Sequence, residues 1–385
     1  MPNDLQEIAD ILITEASAAF RKASRMAMLV NRDYQNEAAE RNKRIDVPIY
    51  QSMPVTDVTA GQQGTVTPIT PEVVQVTLAN WKQVQFKLSD KERAEVRDNR
   101  IIPPVVLRGI SALADKVDQF IIAGMEAAAF LCTALGQPAG TDVVKLSKEL
   151  NDWNVPDANR NLVVSNQVHA DLLGLAEFSR YDAVGDTDAL RDGSLGRKYG
   201  FSIYRNGHLG LTHTAGTLAT TATGDHAAEP MQSGGTSIVT VGASAGITAG
   251  DRIYFENPGN HKNPLGGTLV AYAVVSVPSA TTIEIAPRLR YAVANGDDVL
   301  IYTTDEETYK LGALAFHQDA YIFCTRPLSS HGHPSTIEST ATDPISGITL
   351  RTEVSRQYKE NIWSIDILYG GKVLYPEGIA RAKDA

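Results

Sequence analysis

Two segments of the chain place apolar residues at three- and four-residue steps, the spacing of amphipathic helices. The first contains Leu5, Ile8, Leu12, Ala16, Ala19 and Phe20, which predicts helix over roughly the first thirty residues. The second contains Val106, Ile110, Leu113, Val117 and Phe120, which predicts a helix over about residues 105–131. At 1.5 Å per residue the second helix spans roughly 40 Å, enough to support a whole domain.

Between these helices, residues 45–88 have a different pattern. Val, Thr, Ile and Gln alternate there and are interrupted by Pro and Gly, which predicts a long β-hairpin. Arms of about fifteen residues at roughly 3.3 Å each reach about 50 Å, whereas a domain of about 300 residues has a radius of gyration near 19 Å. The hairpin therefore cannot pack wholly on its own subunit.

The middle of the hairpin, residues 51–70, has few large apolar side chains and a single charged residue, Asp57. It is suited neither to a core nor to a solvated loop, and an isolated two-stranded ribbon is marginally stable in water. We therefore predict that it contacts another chain. The candidate contact residues are Tyr50, Met53, Val55, Asp57, Val58, Val66 and Ile69.

The second half of the N-terminal helix is basic and includes Arg21, Arg25 and Arg32. Two interpretations are open. These residues form either a solvated helical face or an arm that lies on an acidic neighbour.

The rest of the chain alternates between mixed α/β and all-β patterns. Strands at 161–165 and 201–205 flank a helical segment, which predicts a mixed α/β domain. Five short β runs follow a Thr-, Ala-, Gly- and Ser-rich stretch and predict a small barrel or sandwich; they lie at 237–241, 252–255, 268–277, 282–285 and 299–303. The α/β pattern resumes after Tyr309, so this β unit is predicted to be an insertion. The last predicted strands are 348–354, 362–369 and 372–374.

Composition excludes several classes of protein. The formal net charge of −10 argues against a protein that gains affinity by neutralising phosphates. The longest apolar run, residues 120–135, is too short to cross a membrane, and the acidic N-terminus lacks the pattern of a secretory signal. We therefore expect no membrane span and a protein that stays in the cytoplasm where it is made. Cys132 and Cys324 are predicted to be buried apolar residues, not a disulfide.

Four motifs partly match a catalytic serine, a zinc site, a calcium site or a phosphate-binding loop, and each departs from the pattern that the function requires. The sequence Gly-Ala-Ser-Ala-Gly at 242–246 matches a nucleophile elbow, but strands follow it where a helix is required, so Ser244 is predicted to lie in a β-turn. The histidines at 317, 331 and 333 with Cys324 lack zinc-ligand spacing. The aspartates at 182, 186, 188 and 192 miss the calcium-loop register. Residues 193–200 lack the ending of a phosphate loop. We predict no catalytic residue, metal or cofactor.

An arm, a long hairpin, a long helix and an inserted β unit remain. Their order resembles the capsid subunit of tailed double-stranded DNA bacteriophages, the Hong Kong 97-type fold. The strand and turn sequences at 237–255, 273–277 and 282–287 resemble the β-barrel that podophage coat proteins carry inserted in their axial domain. The resemblance is one of order and covers almost the whole chain.

The resemblance implies an α+β fold in seven parts. These are a helical N-terminal arm (1–44), an extended loop (45–80), a peripheral domain with the spine helix (81–150), an axial domain in two parts (151–222 and 306–345), an inserted barrel (223–305) and C-terminal peripheral strands (346–385). It also implies a major capsid protein, not an enzyme, that assembles into hexamers and pentamers in the host cytoplasm and resides in the virion. The implied partners are further copies, a scaffolding protein, a portal protein, a possible decoration protein and the packaged DNA.

Some members of this fold join subunits covalently through a lysine on the extended loop. No lysine occurs here between Lys43 and Lys82, so non-covalent contacts are expected. Two alternatives stay open from the sequence. One is the shell of a protein nanocompartment, which shares the fold, and the other is a serine hydrolase with a β-rich binding domain that would depend on Ser244.

Overall fold

A computed structural model describes residues 16, 20, 24–33, 44–49, 57, 72–89, 104–128, 132–135, 140–179, 195–209, 212–214, 220–227, 236–256, 272–286, 288–289, 292–301, 308–326, 328, 336–342, 348–358 and 360–384. The chain divides into two compact units. The first comprises Met1–Val47, Gln75–Ile122 and Ile322–Lys372, and the second comprises Pro48–Val74, Ala123–Tyr321 and Val373–Ala385. The predicted α+β class is confirmed.

Strands predominate over helices in the described residues. The helices are α1 (Met26–Leu29), α2 (Pro104–Ala128), α3 (Gly140–Asp152), α4 (Asn166–Gly174) and α5 (Ala176–Ser179), with 3-10 turns at Gln318–Ala320 and Pro376–Gly378. The strands are β1 (Arg44–Ile49), β2 (Glu72–Thr77), β3 (Asn80–Ser89), β4 (Cys132–Leu135), β5 (Arg160–Val164), β6 (Arg197–Lys198), β7 (Phe201–Arg205), β8 (Thr212–Thr214), β9 (Thr220–Thr221), β10 (Ser237–Thr240), β11 (Arg252–Glu256), β12 (Tyr272–Ser279), β13 (Thr282–Ala286), β14 (Asp298–Ile301), β15 (Thr308–His317), β16 (Tyr321–Arg326), β17 (Thr336–Thr342), β18 (Thr349–Gln357), β19 (Glu360–Val373) and β20 (Ile379–Asp384).

The first unit is built on a five-stranded sheet. Its order is β16-β19-β18-β17, and β3 pairs with the 14-residue β19. Helix α2 packs on this sheet at Gly109, where a Cβ would lie 2.5 Å from Val84 Cγ1. The apolar stripe predicted from spacing is buried at Ile110, Leu113 and Val117. The predicted helix is therefore present at Pro104–Ala128, and residues 129–131 lie outside the described part of the chain.

The second unit contains a seven-stranded mixed sheet of order β4-β20-β15-β5-β7-β6, with β8 also pairing with β15. Every residue of β5 is buried, as expected of a central strand covered on both faces. Helix α4 begins directly after β5, because Ser165 accepts a hydrogen bond from the Val168 amide and caps the helix. The helix cap explains why the strand ends at Val164, one residue before the predicted end.

A six-stranded antiparallel sheet of order β10-β13-β12-β11-β14-β9 also belongs to the second unit. Its two ends are hydrogen-bonded to each other. The Thr223 amide donates to the Thr240 carbonyl at 2.8 Å, and the Gly242 amide donates to the Thr221 carbonyl at 2.9 Å. An apolar cluster that includes Val239, Ile253, Phe255, Tyr272 and Ile283 fills the interior.

The C-terminal strands differ from the sequence expectation. The prediction ended one strand at Tyr369 and closed the chain with a strand at 372–374, but β19 runs unbroken to Val373. Gly370 lies inside this strand because the backbone of Thr77 passes close to it. A Cβ at Gly370 would lie 2.3 Å from the Thr77 carbonyl oxygen, so only glycine permits this approach. A further strand, β20, follows and pairs with β15 and β4.

The domain boundaries expected from the sequence stay a prediction, and several elements pair or pack across them. Residues 373–385 were expected in the peripheral strands, but β20 lies in the seven-stranded sheet of the second unit. Strands β16 and β17 fall within the expected axial part 306–345, yet they pair in the five-stranded sheet of the first unit. Helix α3 falls within the expected peripheral part 81–150, yet Val143, Leu146 and Leu150 lie in the core of the seven-stranded sheet. Long-range strand pairing places the strands and core packing places the helix, and local pattern reveals neither.

Candidate assembly surface

The two arms of the predicted hairpin are strands β1 and β2, which pair in a two-stranded sheet. Their burial alternates, since Ile45, Val47 and Ile49 of β1 and Val74 and Val76 of β2 are buried. Between the arms, the structure describes Asp57 alone, which is exposed. Tyr50, Met53, Val55, Val58, Val66 and Ile69 lie outside the described residues. Their role in contacts stays a prediction.

The N-terminal segment is fixed to helix α2 by one buried carboxylate. Asp118 of α2 accepts hydrogen bonds from Ser24 Oγ at 2.7 Å, from the Arg25 amide at 3.1 Å and from the Met26 amide at 3.2 Å. These amides begin helix α1, where orphan N–H groups favour an anion. Ala16 and Phe20 are helical and buried.

The three predicted arm arginines are therefore not equivalent. Arg25 is exposed at this anchor, Arg32 is partly exposed and Arg21 lies outside the described residues. Sequence reasoning missed Asp118. One sequence signal could have revealed it. Asp118 lies four positions after Ala114 and is therefore a charged residue on the apolar stripe of the helix.

The beginning of β3 carries an exposed tryptophan whose ring is held in place. Trp81 Nε1 donates to Asp366 Oδ2 at 2.9 Å. Arg351 holds the same carboxylate with Nε donating to Oδ1 at 3.1 Å and Nη2 donating to Oδ2 at 2.6 Å. Asp366 and Arg351 are both buried, and the hydrogen bond to Asp366 raises the pKa of Arg351 above its ordinary value while burial opposes that rise. The pair is a rigid support for the indole.

In the second unit, one arginine joins three elements. Arg381 of β20 is buried, and it donates from Nη1 to the Glu126 carbonyl in the last turn of α2 at 3.2 Å. Its Nη2 donates to the Gly250 carbonyl, in the turn before β11. The cation satisfies a helix C-terminal carbonyl and connects the six-stranded sheet to the seven-stranded sheet.

Ser244 occupies the turn that the sequence predicted. Its hydroxyl is buried and donates to the Ser279 carbonyl at 2.8 Å, and its amide donates to the Ala280 carbonyl at 2.9 Å. Strand β11 follows where a nucleophile elbow requires a helix.

The other candidate ligands do not form a site among the described residues. His317 caps a 3-10 turn by accepting from the Asp319 amide at 3.2 Å. No cluster of three His, Cys, Asp or Glu side chains occurs in the part of the chain that the structure describes. The histidines at 331 and 333 and the aspartates at 182, 186, 188 and 192 lie outside it.

No helix in the described ranges has the length and apolarity needed to span a membrane. No protein-family model and no curated protein sequence matches this chain.

Solved structures do match the fold. A structure from Mycobacterium phage Che8 aligns with a TM-score of 0.52 and 17% identity, over 93% of this chain and 90% of that chain. The capsid structure of the cyanophage P-SCSP1u aligns with a TM-score of 0.51 and 13% identity, over 94% of this chain and 88% of that chain. The predicted resemblance to a phage capsid subunit is confirmed at the level of the fold.

Proposed function

We propose that this chain is the major capsid protein of a tailed double-stranded DNA phage and that it assembles into hexamers and pentamers of an icosahedral head. The observation that carries the proposal is the fold shared with the cyanophage P-SCSP1u capsid structure over 94% of this chain. A likeness over 94% of the chain leaves few residues outside the shared fold. The protein would then reside in the virion after assembly in the host cytoplasm.

The proposal includes the Hong Kong 97-type arrangement with an inserted barrel. The 25-residue helix α2 would be the spine, and the β1–β2 pair would be the base of the extended loop. The hydrogen bonds that join the ends of the six-stranded sheet, from Thr223 to Thr240 and from Gly242 to Thr221, support a closed barrel. Arg381 supports its attachment to the seven-stranded sheet.

Assembly would proceed through many weak contacts. A micromolar contact supplies only about 8 kcal/mol, but each subunit meets several neighbours at once, so weak contacts permit correction of errors while their sum stabilises the shell. We assign contacts to the extended loop, at Tyr50, Met53, Val55, Asp57, Val58, Val66 and Ile69, and to the arm, at Arg21, Arg25 and Arg32.

Further partners would be a scaffolding protein, a portal protein and, in heads that carry one, a decoration protein. The packaged DNA would be a neighbour without specific contacts, since a net charge of −10 disfavours tight phosphate binding. Retention of the purified protein on immobilised DNA at physiological salt would contradict this part of the proposal.

Negative-stain electron microscopy of the expressed full chain, with and without a scaffolding protein, tests the function. Closed particles of uniform size support it. A stable monomer that forms no closed particle under either condition contradicts it. The neighbouring genes distinguish a phage head from a nanocompartment, because a head requires a portal protein and a terminase to package DNA, whereas a nanocompartment requires a cargo enzyme.

A further inference from the structure

We propose that Trp81 is an intersubunit anchor whose exposed ring is covered by a second copy of this chain in the assembled shell. The inference rests on the proposed capsid function. It assigns one residue of the first unit to the contact between copies.

The geometry leaves an apolar and oriented surface at Trp81. The side chain is 58% exposed, yet its one polar atom already donates to Asp366 within the subunit. What remains for a partner is therefore hydrocarbon, which gains from burial without any need for a new hydrogen bond. The bidentate contact of Arg351 with Asp366 fixes the acceptor. An indole held in this way loses little conformational entropy when a partner covers it.

The neighbouring side chains have the arrangement of an interface centre. Gln83, Gln85 and Lys87 follow Trp81 at two-residue steps along β3, and all three are exposed. The intervening Val84 and Phe86 are partly buried, and Phe86 stacks on the buried Trp363 with ring centroids 6.1 Å apart. A tryptophan beside a polar rim is the residue type and the setting in which binding energy concentrates.

A second copy is the occupant that the chain itself favours. Only Leu78, Ala79 and Asn80 separate Trp81 from β2, so the indole is continuous with the base of the loop proposed to contact a neighbour. Among the residues that the structure describes, β19 is the one strand that pairs with β3. A strand paired along one edge can accept another chain along its other edge.

Hydroxyl-radical footprinting with mass spectrometry tests the proposal on the full chain, as dissociated subunits and as assembled particles. We expect the oxidation rate of Trp81 in particles of this chain alone to fall to that of Trp363, which is 6% exposed within the subunit. A second measurement compares variants. We expect Trp81→Ala to raise the critical concentration for assembly about 30-fold, the effect of losing one interface hot spot. Ile238→Ala is the matched control, since Ile238 is 62% exposed, and we expect less than about a 3-fold change for it.

The outcomes separate this inference from the function on which it rests. Particles that form while Trp81 stays as reactive as in the subunit overturn the anchor and leave the capsid function intact. Protection that arises only when a scaffolding or decoration protein is added overturns the assignment of the occupant to a second copy. Failure to form any particle overturns both. Footprinting of the unaltered chain keeps the test decisive even if Trp81→Ala does not fold.

Discussion

Replacing Arg381 with methionine tests how the six-stranded sheet is attached to the rest of the second unit. Methionine keeps an unbranched apolar stem of similar length and removes the guanidinium that donates to the Gly250 and Glu126 carbonyls. The turn at Gly250 is otherwise held locally. The Gly250 amide donates to the Val274 carbonyl, and the Thr248 amide donates to the Asp251 carboxylate at 2.7 Å. The variant therefore removes the attachment without removing the turn.

The magnitude follows from the two hydrogen bonds. A hydrogen bond from a charged donor contributes roughly 1.5–3 kcal/mol, and a buried carbonyl left without its donor adds a desolvation penalty of about 1–3 kcal/mol. The Glu126 carbonyl is only partly buried and regains water, whereas the bond to Gly250 is buried. We therefore expect Arg381→Met to reduce the free energy of unfolding by about 3–5 kcal/mol.

Two measurements on dissociated subunits check this expectation. Urea unfolding followed by far-ultraviolet circular dichroism gives the loss of stability. Hydrogen exchange gives its location, and we expect exchange at the Gly250 and Asp251 amides to accelerate more than exchange at the buried core residues Ile283 and Ile285. Arg381→Lys retains one charged donor and should lose about half as much stability. Equal stability of Arg381→Met and the parent, with no change in exchange at Gly250, would refute the attachment role.

Three further predictions follow from the fold and the sequence. Asp118→Asn should reduce the free energy of unfolding by about 2 kcal/mol, because an amide replaces a carboxylate that accepts three hydrogen bonds. Limited proteolysis should then cleave the N-terminal segment of this variant faster, whereas the control Asp115→Asn on the same helix should be cleaved like the parent. Gly370→Ala should reduce the free energy of unfolding by about 1–3 kcal/mol, measured by thermal unfolding, because its Cβ would lie 2.3 Å from the backbone of β2. Gly174→Ala is the control and should leave the stability unchanged, because its Cβ would meet no atom within 4 Å. Particles boiled in detergent should give a single monomer band, and a ladder of linked subunits would contradict the non-covalent contacts expected from the absence of lysine between Lys43 and Lys82.

Local pattern was sufficient for much of the secondary structure. Helix α2 was predicted from four-and-three spacing, and the predicted strand 201–205 coincides with β7. The β runs from 237 to 303 each overlap an observed strand, because period-two alternation and turn residues act within one segment. The strand after Val373 was missed because the sequence Ile-Ala-Arg-Ala-Lys-Asp has little apolar alternation, and its pairing with β15 and β4 is what makes it a strand.

Sequence patterns also did not identify the buried charged residues that join the elements. Asp118, Asp366 and Arg381 are charged residues in otherwise apolar segments. Most of their partners lie far away in sequence, at separations of 92–94 residues for Asp118, 285 for Asp366 with Trp81, and 131 and 255 for Arg381, whereas Arg351 lies 15 residues from Asp366. A sequence shows that a buried charge needs a partner but does not show which one.

The sequence by itself determined the long helix, the two strands at the ends of the predicted hairpin and the short strands between Ser237 and Ile301, because each depends on residues close together in the chain. The tertiary structure alone decided which strands share a sheet, how the ends of the six-stranded sheet meet and which buried charges join the elements. Those features depend on pairings between residues in different segments of the chain, up to 285 residues apart for Trp81 and Asp366. Hydrophobic periodicity and turn chemistry act within one segment and do not show which segments pair.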